Sequence, residues 1–190
     1  MLGFVITLML IIFTGNGKGK TTASLGQAVR TVGRGENVLM IQFIKGPWKS
    51  GEDFIDIVKK GNPSINSGSS PIFKLVKMGK GFVGILGDKL PFEEHKQAAK
   101  NALSYFEKEL KTKSWKLIIL DEINVAVSLG LLEIEEVLQS IQNLPPEQFV
   151  IFSGRGAPQE FIDKADLVTE MKEIKHPFND GKLAEIAMEF

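Results

Sequence analysis

The chain has 190 residues, with 23 Lys or Arg against 23 Asp or Glu, so its formal net charge is zero. A neutral chain has no general positive field for nucleic acid, and a chain without cysteine has neither disulfides nor thiolate metal sites. We therefore expect a single domain over residues 1–190 that works in the reducing cytoplasm, with neither nucleic acid nor a membrane as a partner.

The first thirteen residues are almost wholly apolar. They are too few to span a bilayer, and they lack the basic start and the cleavage site of a signal peptide. We expect residues 8–13 to form the first buried strand. The residues before them either lengthen this strand or precede a true translation start at Met9.

Residues 13–22 read Phe-Thr-Gly-Asn-Gly-Lys-Gly-Lys-Thr-Thr and join the apolar run to a helical pattern. Strand, glycine-rich turn and helix is the arrangement of a phosphate-binding loop, in which backbone N–H groups and the helix dipole face an anion. The residues expected to bind phosphate are Gly15, Asn16, Gly17, Lys18, Gly19, Lys20, Thr21 and Thr22. Lys20 would reach the outer phosphates and Thr21 a magnesium ion.

The loop departs from the general pattern in one respect. The usual glycine six positions before the lysine is replaced by Thr14, so a loop starting at Gly15 is one residue short. The alternative interpretation is a glycine-rich turn that only closes the fold.

Periodicity and turn residues predict the rest of the chain in order. The elements are helices over residues 21–31, 50–60, 92–111, 132–142 and 159–164, strands over 37–44, 72–78, 115–120, 149–152 and 167–171, and a surface loop over 61–71. This alternation predicts an α/β fold, a doubly wound and mainly parallel sheet of the P-loop NTPase (RecA-like) type with helices on both faces. Loops at 15–21, 45–48, 79–87, 121–124 and 153–158 should open on one edge of the sheet.

Three of these loops have side chains of interest. Gln42 and Lys45 end a strand and are candidates for substrate contact, although Lys45 beside a turn is equally well explained as solvated. Residues 79–87 combine glycine with large apolar side chains, which indicates a flat apolar ligand, or else a loop tucked under the next helix. His95 near the start of that helix is expected to be solvated or to cap it.

An acidic pair, Asp121 and Glu122, follows the strand over residues 115–120. Taken alone, such a pair is usually a helix cap. Downstream of a phosphate loop it is typical of the carboxylate that holds magnesium, so together with Thr21 we expect Asp121 and Glu122 to bind the metal.

Several stretches together resemble a known family. They are residues 14–22, 42–46, 81–82, 121–124, 154–158, 165–171, 175–178 and 189–190. With these residues the chain resembles the corrinoid adenosyltransferases of the CobA/CobO/BtuR type from about residue 10 to residue 190. The shortened phosphate loop is this family's own form.

The resemblance implies transfer of the 5′-deoxyadenosyl group of ATP to the Co(I) of cobalamin or a corrinoid precursor, with release of triphosphate. Co(I) is a strong nucleophile, so no side-chain base is needed. The implied catalytic residues are Lys20, Thr21 and Glu122, with Mg²⁺ or Mn²⁺ as cofactor, while Lys18 and Arg155 help to bind ATP and its departing charge.

The resemblance also places the reduced corrinoid at Phe82, Gly84 and Ile85. Similar enzymes press aromatic side chains against the lower face of Co(II) to remove its axial ligand. Some carry tryptophan where this chain has Gly84, so either Phe82 acts with Ile85 or Leu86, or the lower face is handled differently. An electron donor such as a reduced flavoprotein and a homodimer are further implications.

Two other functions compete with this one. A P-loop ATP hydrolase would use Glu122 to activate water and Arg155 as an arginine finger. A regulatory ATP-binding module would bind without turnover. The absence of a basic stripe disfavours a nucleic-acid motor, and the apolar loop at Phe82 disfavours a passive module.

Overall fold

The structure is a computed structural model that describes residues 9–57, 72–85, 87–176 and 181. The predictions about the residues before Met9, about the surface loop over 61–71 and about Leu86 therefore lie outside the described residues. Within them, no helix combines the length and the apolar character needed to cross a membrane.

The described chain contains six strands and five α-helices. They are β1 Met9–Thr14, α1 Lys20–Gly33, β2 Val38–Gln42, β3 Phe73–Lys77, α2 Phe92–Thr112, β4 Leu117–Asp121, α3 Ile123–Ser128, α4 Ile134–Ser140, β5 Phe149–Ser153, α5 Gln159–Lys164 and β6 Leu167–Glu170. All strands pair in parallel in the order β3-β2-β4-β5-β1-β6. The predicted α/β fold with a doubly wound sheet is confirmed.

The two faces of the sheet are covered by different helices. In β2, Leu39 and Ile41 face the cluster that contains residues of α2, α3, α4 and α5. Their neighbours Val38 and Met40 face the opposite cluster, where α1 packs. Because successive side chains of a strand point to opposite faces and both faces are covered, the central strands are apolar throughout.

The helix predicted over residues 50–60 is wrong for residues 50–57, the part of it that the structure describes. A 3₁₀ helix, Gly51–Phe54, is followed by extended backbone at Ile55. The Asp53 carboxylate accepts a hydrogen bond of 2.7 Å from the Ser50 N–H and pairs with Lys77 of β3. These contacts stabilise a single turn and hold it against the edge strand.

Two further differences concern the acidic pair and His95. The short helix α3 begins directly after Glu122 and was not predicted, since six residues are too few for a clear periodic signal. His95 is neither solvated nor a cap: it is 2% exposed, and its Nε2 lies 3.0 Å from Oδ2 of Asp88.

Candidate functional site

The phosphate loop joins β1 to α1 and packs tightly against the backbone that follows β6. The Gly17 N–H donates a hydrogen bond of 2.6 Å to the Met171 carbonyl. A Cβ atom would come within 2.5 Å of that carbonyl oxygen at Gly15 and within 2.6 Å at Gly17. Gly15 also has φ +94°, so close approach and backbone conformation both require glycine there.

Lys20 folds back over this loop. Its Nζ donates hydrogen bonds to the carbonyl oxygens of Gly15 (2.8 Å) and Gly17 (2.7 Å), and the side chain is 8% exposed. Burial lowers the pKa of Lys20, against the opposing effect of the Glu122 charge. A buried ammonium held by carbonyl oxygens is well suited to an incoming anion, whose charge would favour the protonated form.

The side chain of Asp121, at the end of β4, links this strand to α1, β5 and β2. Its Oδ1 accepts hydrogen bonds from the hydroxyls of Thr21 (3.0 Å) and Ser153 (2.6 Å), and its Oδ2 accepts one from Nε2 of Gln42 (3.0 Å). The side chain is fully buried. The carboxylate is therefore satisfied by polar donors from α1, β5 and β2, and these contacts fix the floor of the site.

Glu122 turns its backbone sharply at the end of β4. Its φ is +63°, uncommon for a residue with a side chain, and its N–H donates a 3.1 Å hydrogen bond to the Ser153 hydroxyl. Burial, and next the charge of Asp121, raise the pKa of Glu122 to about 7, against the opposing effect of Lys20. The Glu122 carboxyl group is thus poised to lose its proton when a cation approaches.

Glu52 is a site residue that sequence reasoning missed. Its carboxylate pairs with Lys45 and accepts a 3.1 Å hydrogen bond from Nε2 of Gln42. Burial alone would raise the pKa of Glu52, but the hydrogen bond from Lys45 and further contacts hold it at about 2. An acid at the start of a predicted helix looks like an ordinary first-turn residue, so no sequence signal distinguished it.

Lys20, Glu122, Lys45 and Glu52 open into one cavity of about 560 Å³. Its lining comprises Asn16, Gly17, Lys18, Gly19, Lys20, Thr21, Thr22, Leu25, Lys45, Gly51, Glu52, Phe82, Glu122, Arg155 and His176. Most of the predicted phosphate-loop residues therefore share a cavity with Phe82, Glu122 and Arg155. Gly15, Asp121, Gly84 and Ile85 are predicted site residues outside this lining. Ile85 instead lines a smaller neighbouring hollow of about 180 Å³.

The apolar loop is partly exposed and partly packed: Val83 is half-buried against the core cluster that includes α2, whereas its neighbours on either side are exposed. Phe82 is 42% exposed and Ile85 58% exposed. The Phe82 ring lines the cavity on one side, and its centroid lies 5.5 Å from the ring of Trp48. The cavity that contains the phosphate loop thus has an exposed aromatic residue in its lining, as a flat apolar ligand would require.

The oxygen atoms near Thr21 fit a hard divalent cation. The Thr21 hydroxyl lies 3.0 Å from the Asp121 carboxylate, and Glu122 lines the same cavity. Among the described residues, no group of three or more His, Cys, Asp or Glu could hold a metal on protein ligands alone. Magnesium at a nucleotide site needs only one or two protein ligands, because phosphate oxygens and water complete its coordination.

Comparison with known proteins places the whole chain in one group. Residues 7–190 match the model of the family described as ATP:corrinoid adenosyltransferase BtuR/CobO/CobP. The corrinoid adenosyltransferase of Escherichia coli K12 is 34% identical over 182 residues, which are 96% of this chain and 85% of the relative. Corrinoid adenosyltransferase CobA of Salmonella typhimurium is 33% identical with the same coverage. The Pseudomonas aeruginosa corrinoid adenosyltransferase is 34% identical over 96% of this chain and 83% of its own length.

Proposed function

Because the chain belongs to the ATP:corrinoid adenosyltransferase family, we propose that its phosphate-loop cavity binds ATP and that the wall at Phe82 binds the corrinoid. The reaction moves the 5′-deoxyadenosyl group of ATP to the Co(I) of a reduced corrinoid. The observation that carries the assignment of the site is the single cavity lined by both Lys20 and Phe82.

The bond changes explain the charge in the cavity. The Co(I) electron pair forms the bond to the 5′ carbon, and the C5′–O bond breaks with its electron pair leaving on the triphosphate. No proton is transferred, so no base is needed. Stabilising the triphosphate charge is the main electrostatic task, and Lys18, Lys20 and Arg155 line the cavity with the positive charge to do this.

Lys20 performs this task by exchanging partners. Its ammonium group leaves the carbonyl oxygens of Gly15 and Gly17 for phosphate oxygens, which are stronger acceptors because they are charged. The freed carbonyl groups can take water. Because the ammonium group is already charged and only changes its hydrogen-bond partners, the site reorganises little when ATP binds.

Thr21 and Glu122 would hold the magnesium ion, with the Asp121 carboxylate fixing the Thr21 hydroxyl from behind. When bound, the ion would neutralise part of the triphosphate charge. Glu122 must be ionised to serve as a ligand, and its pKa of about 7 makes this depend on pH near neutrality. The same roles are open to Mn²⁺.

The runner-up function, ATP hydrolysis with Glu122 as the base, is not favoured by family membership. The raised pKa of Glu122 would suit a base, but hydrolysis gives no role to the exposed aromatic wall. We further propose, from the resemblance alone, a reduced flavoprotein as electron donor and a homodimer as the working assembly.

The deciding experiment follows both products when the protein is mixed with ATP, magnesium and cob(I)alamin. Triphosphate formed in step with a light-sensitive Co–C product supports adenosyl transfer. Inorganic phosphate with an unchanged corrinoid spectrum would contradict it and leave hydrolysis. Phe82→Ala tests the site, since the corrinoid KM should rise while the ATP KM stays near that of the unchanged protein.

A further inference from the structure

Trp48 and Phe82 form an exposed aromatic surface beside the cavity, here called the aromatic ledge. The two ring centroids lie 5.5 Å apart with the planes tilted by 39°. The two residues come from different loops, one after β2 and the other after β3. The sequence predicts only a loop over residues 45–48, so the pairing is a product of the tertiary structure.

The loops that carry the ledge are packed backbone against backbone. The Gly81 N–H donates a 2.9 Å hydrogen bond to the Ile44 carbonyl, and a Cβ on Gly46 would lie 2.8 Å from Gly81 Cα. The Trp48 carbonyl accepts a 2.7 Å hydrogen bond from Lys77 of β3. These contacts fix the position of Trp48 relative to Phe82.

Gly81 makes room for the indole ring. A Cβ there would lie 2.6 Å from two carbon atoms of the Trp48 ring, and the glycine has φ +109°. No atom of the described residues lies within 4 Å of the place a Cβ would take at Gly84. The second aromatic side chain of this wall is therefore supplied by the β2 loop and not by residue 84.

A purely structural role explains Trp48 poorly. A tryptophan that only filled the space between two loops would be buried, whereas Trp48 is 60% exposed. Trp115, the other tryptophan of the chain, is 6% exposed and donates a hydrogen bond to Glu109. A rigid, exposed aromatic ring next to another one at a cavity mouth is typical of a ligand contact.

We propose that Trp48 contacts the corrinoid together with Phe82, so that the flat macrocycle rests on the aromatic ledge. The proposal rests on the proposed function, because it takes Phe82 as the corrinoid wall. Trp48 acts on the corrinoid alone, since it does not line the cavity that holds the phosphate loop. It also serves as the second aromatic group that Gly84 cannot provide.

The test compares Trp48→Ala, Trp48→Phe and Phe54→Ala, measuring the KM for cob(I)alamin and the KM for ATP separately. Phe54 is a matched control, because its aromatic ring is 71% exposed and lies near Lys49 instead of Phe82. Trp48→Ala should raise the corrinoid KM about tenfold, which is the usual effect of losing one aromatic contact. The ATP KM should stay within about twofold, Trp48→Phe should recover most of the loss, and Phe54→Ala should change neither constant.

A corrinoid KM unchanged in Trp48→Ala would overturn the proposal, as would an equal rise in both constants, which would mean a distorted site. Phe82→Ala, measured in parallel, separates the two levels of inference. If Phe82→Ala raises the corrinoid KM and Trp48→Ala does not, only the role of Trp48 fails. If neither variant raises it, the corrinoid wall itself has been misplaced.

Discussion

The Thr21 hydroxyl donates a 3.0 Å hydrogen bond to Oδ1 of Asp121, which ties the first turn of α1 to the end of β4. The same oxygen accepts the Ser153 hydroxyl at 2.6 Å. One carboxylate therefore orients a hydroxyl from the phosphate loop and holds a neighbouring strand in place. Asp121 therefore stabilises the fold through its hydrogen bonds, whereas the Thr21 hydroxyl is the group that is oriented for the chemistry.

Replacing Thr21 by alanine should reduce adenosyl transfer by at least about a hundredfold, as expected when a group that positions transition-state charge is lost. The melting temperature should fall little, because Asp121 keeps its bonds to Ser153 and Gln42. Steady-state turnover and thermal melting check this. Thr21→Ser keeps the hydroxyl and should retain most activity; equal losses in both variants would argue against a role for the hydroxyl.

Lys20→Ala should abolish transfer and weaken ATP binding without unfolding the protein, since it removes a buried charge whose pKa burial already lowers. Isothermal titration with ATP and a single-turnover assay measure the two effects. The exposed neighbour Lys18 offers the comparison. Lys18→Ala should bind ATP less tightly but still transfer the adenosyl group. If Lys18→Ala lost as much activity as Lys20→Ala, a distinct role for buried Lys20 would be contradicted.

Glu122 should make stability fall as pH rises. Its pKa lies at about 7 in the folded protein, against an ordinary value of 4.5. Between these two values the folded state holds more protons than the unfolded state, so the free energy of unfolding decreases across this window. Glu122→Gln removes this pH dependence. Between pH 5 and pH 8, its free energy of unfolding should therefore rise by about 1–3 kcal/mol relative to that of the unchanged protein.

Urea unfolding in metal-free buffer at the two pH values measures this difference. Adding magnesium and ATP should raise the free energy of unfolding of the unchanged protein at high pH, where the carboxylate is ionised, by more than that of Glu122→Gln. An identical pH dependence in the two proteins would mean that Glu122 titrates normally.

Asp88 should hold the loop over residues 79–87, which carries Phe82, in shape. Its carboxylate accepts hydrogen bonds from the N–H groups of Gly84 (2.9 Å) and Leu90 (3.0 Å) and pairs with buried His95. Asp88→Ala leaves the His95 ring without this partner and should lower the melting temperature of the protein. The corrinoid KM should rise with little change in the ATP KM.

The ion pair between Lys80 and Glu94 provides the control for Asp88. It also ties the loop to α2, but at 3.4 Å and with both side chains 47% exposed. Glu94→Ala should therefore change stability by less than about 1 kcal/mol. A larger loss of stability in Glu94→Ala than in Asp88→Ala would mean that the exposed ion pair, and not Asp88, stabilises the loop.

Local patterns in the sequence determined the alternation of strands and helices, the phosphate loop and the acidic pair after β4. These features depend on residues close together in the chain: apolar runs for buried strands, glycine for the loop, and helical spacing after Lys20. Since parallel strands end at one edge of the sheet, the loops that meet there could also be inferred. The resemblance to a family rests on the same loops.

Only the tertiary structure placed Glu52 against Lys45, His95 against Asp88 and Trp48 against Phe82. Trp48 contacts Phe82 because β3 lies beside β2 at the edge of the sheet. Local periodicity in the sequence does not predict this strand order. Glu52 reaches Lys45 because contacts with Ser50 and Lys77 limit its segment to one turn. Short segments of this kind take their conformation from the surfaces they pack on, since one turn has too few internal hydrogen bonds to be stable alone.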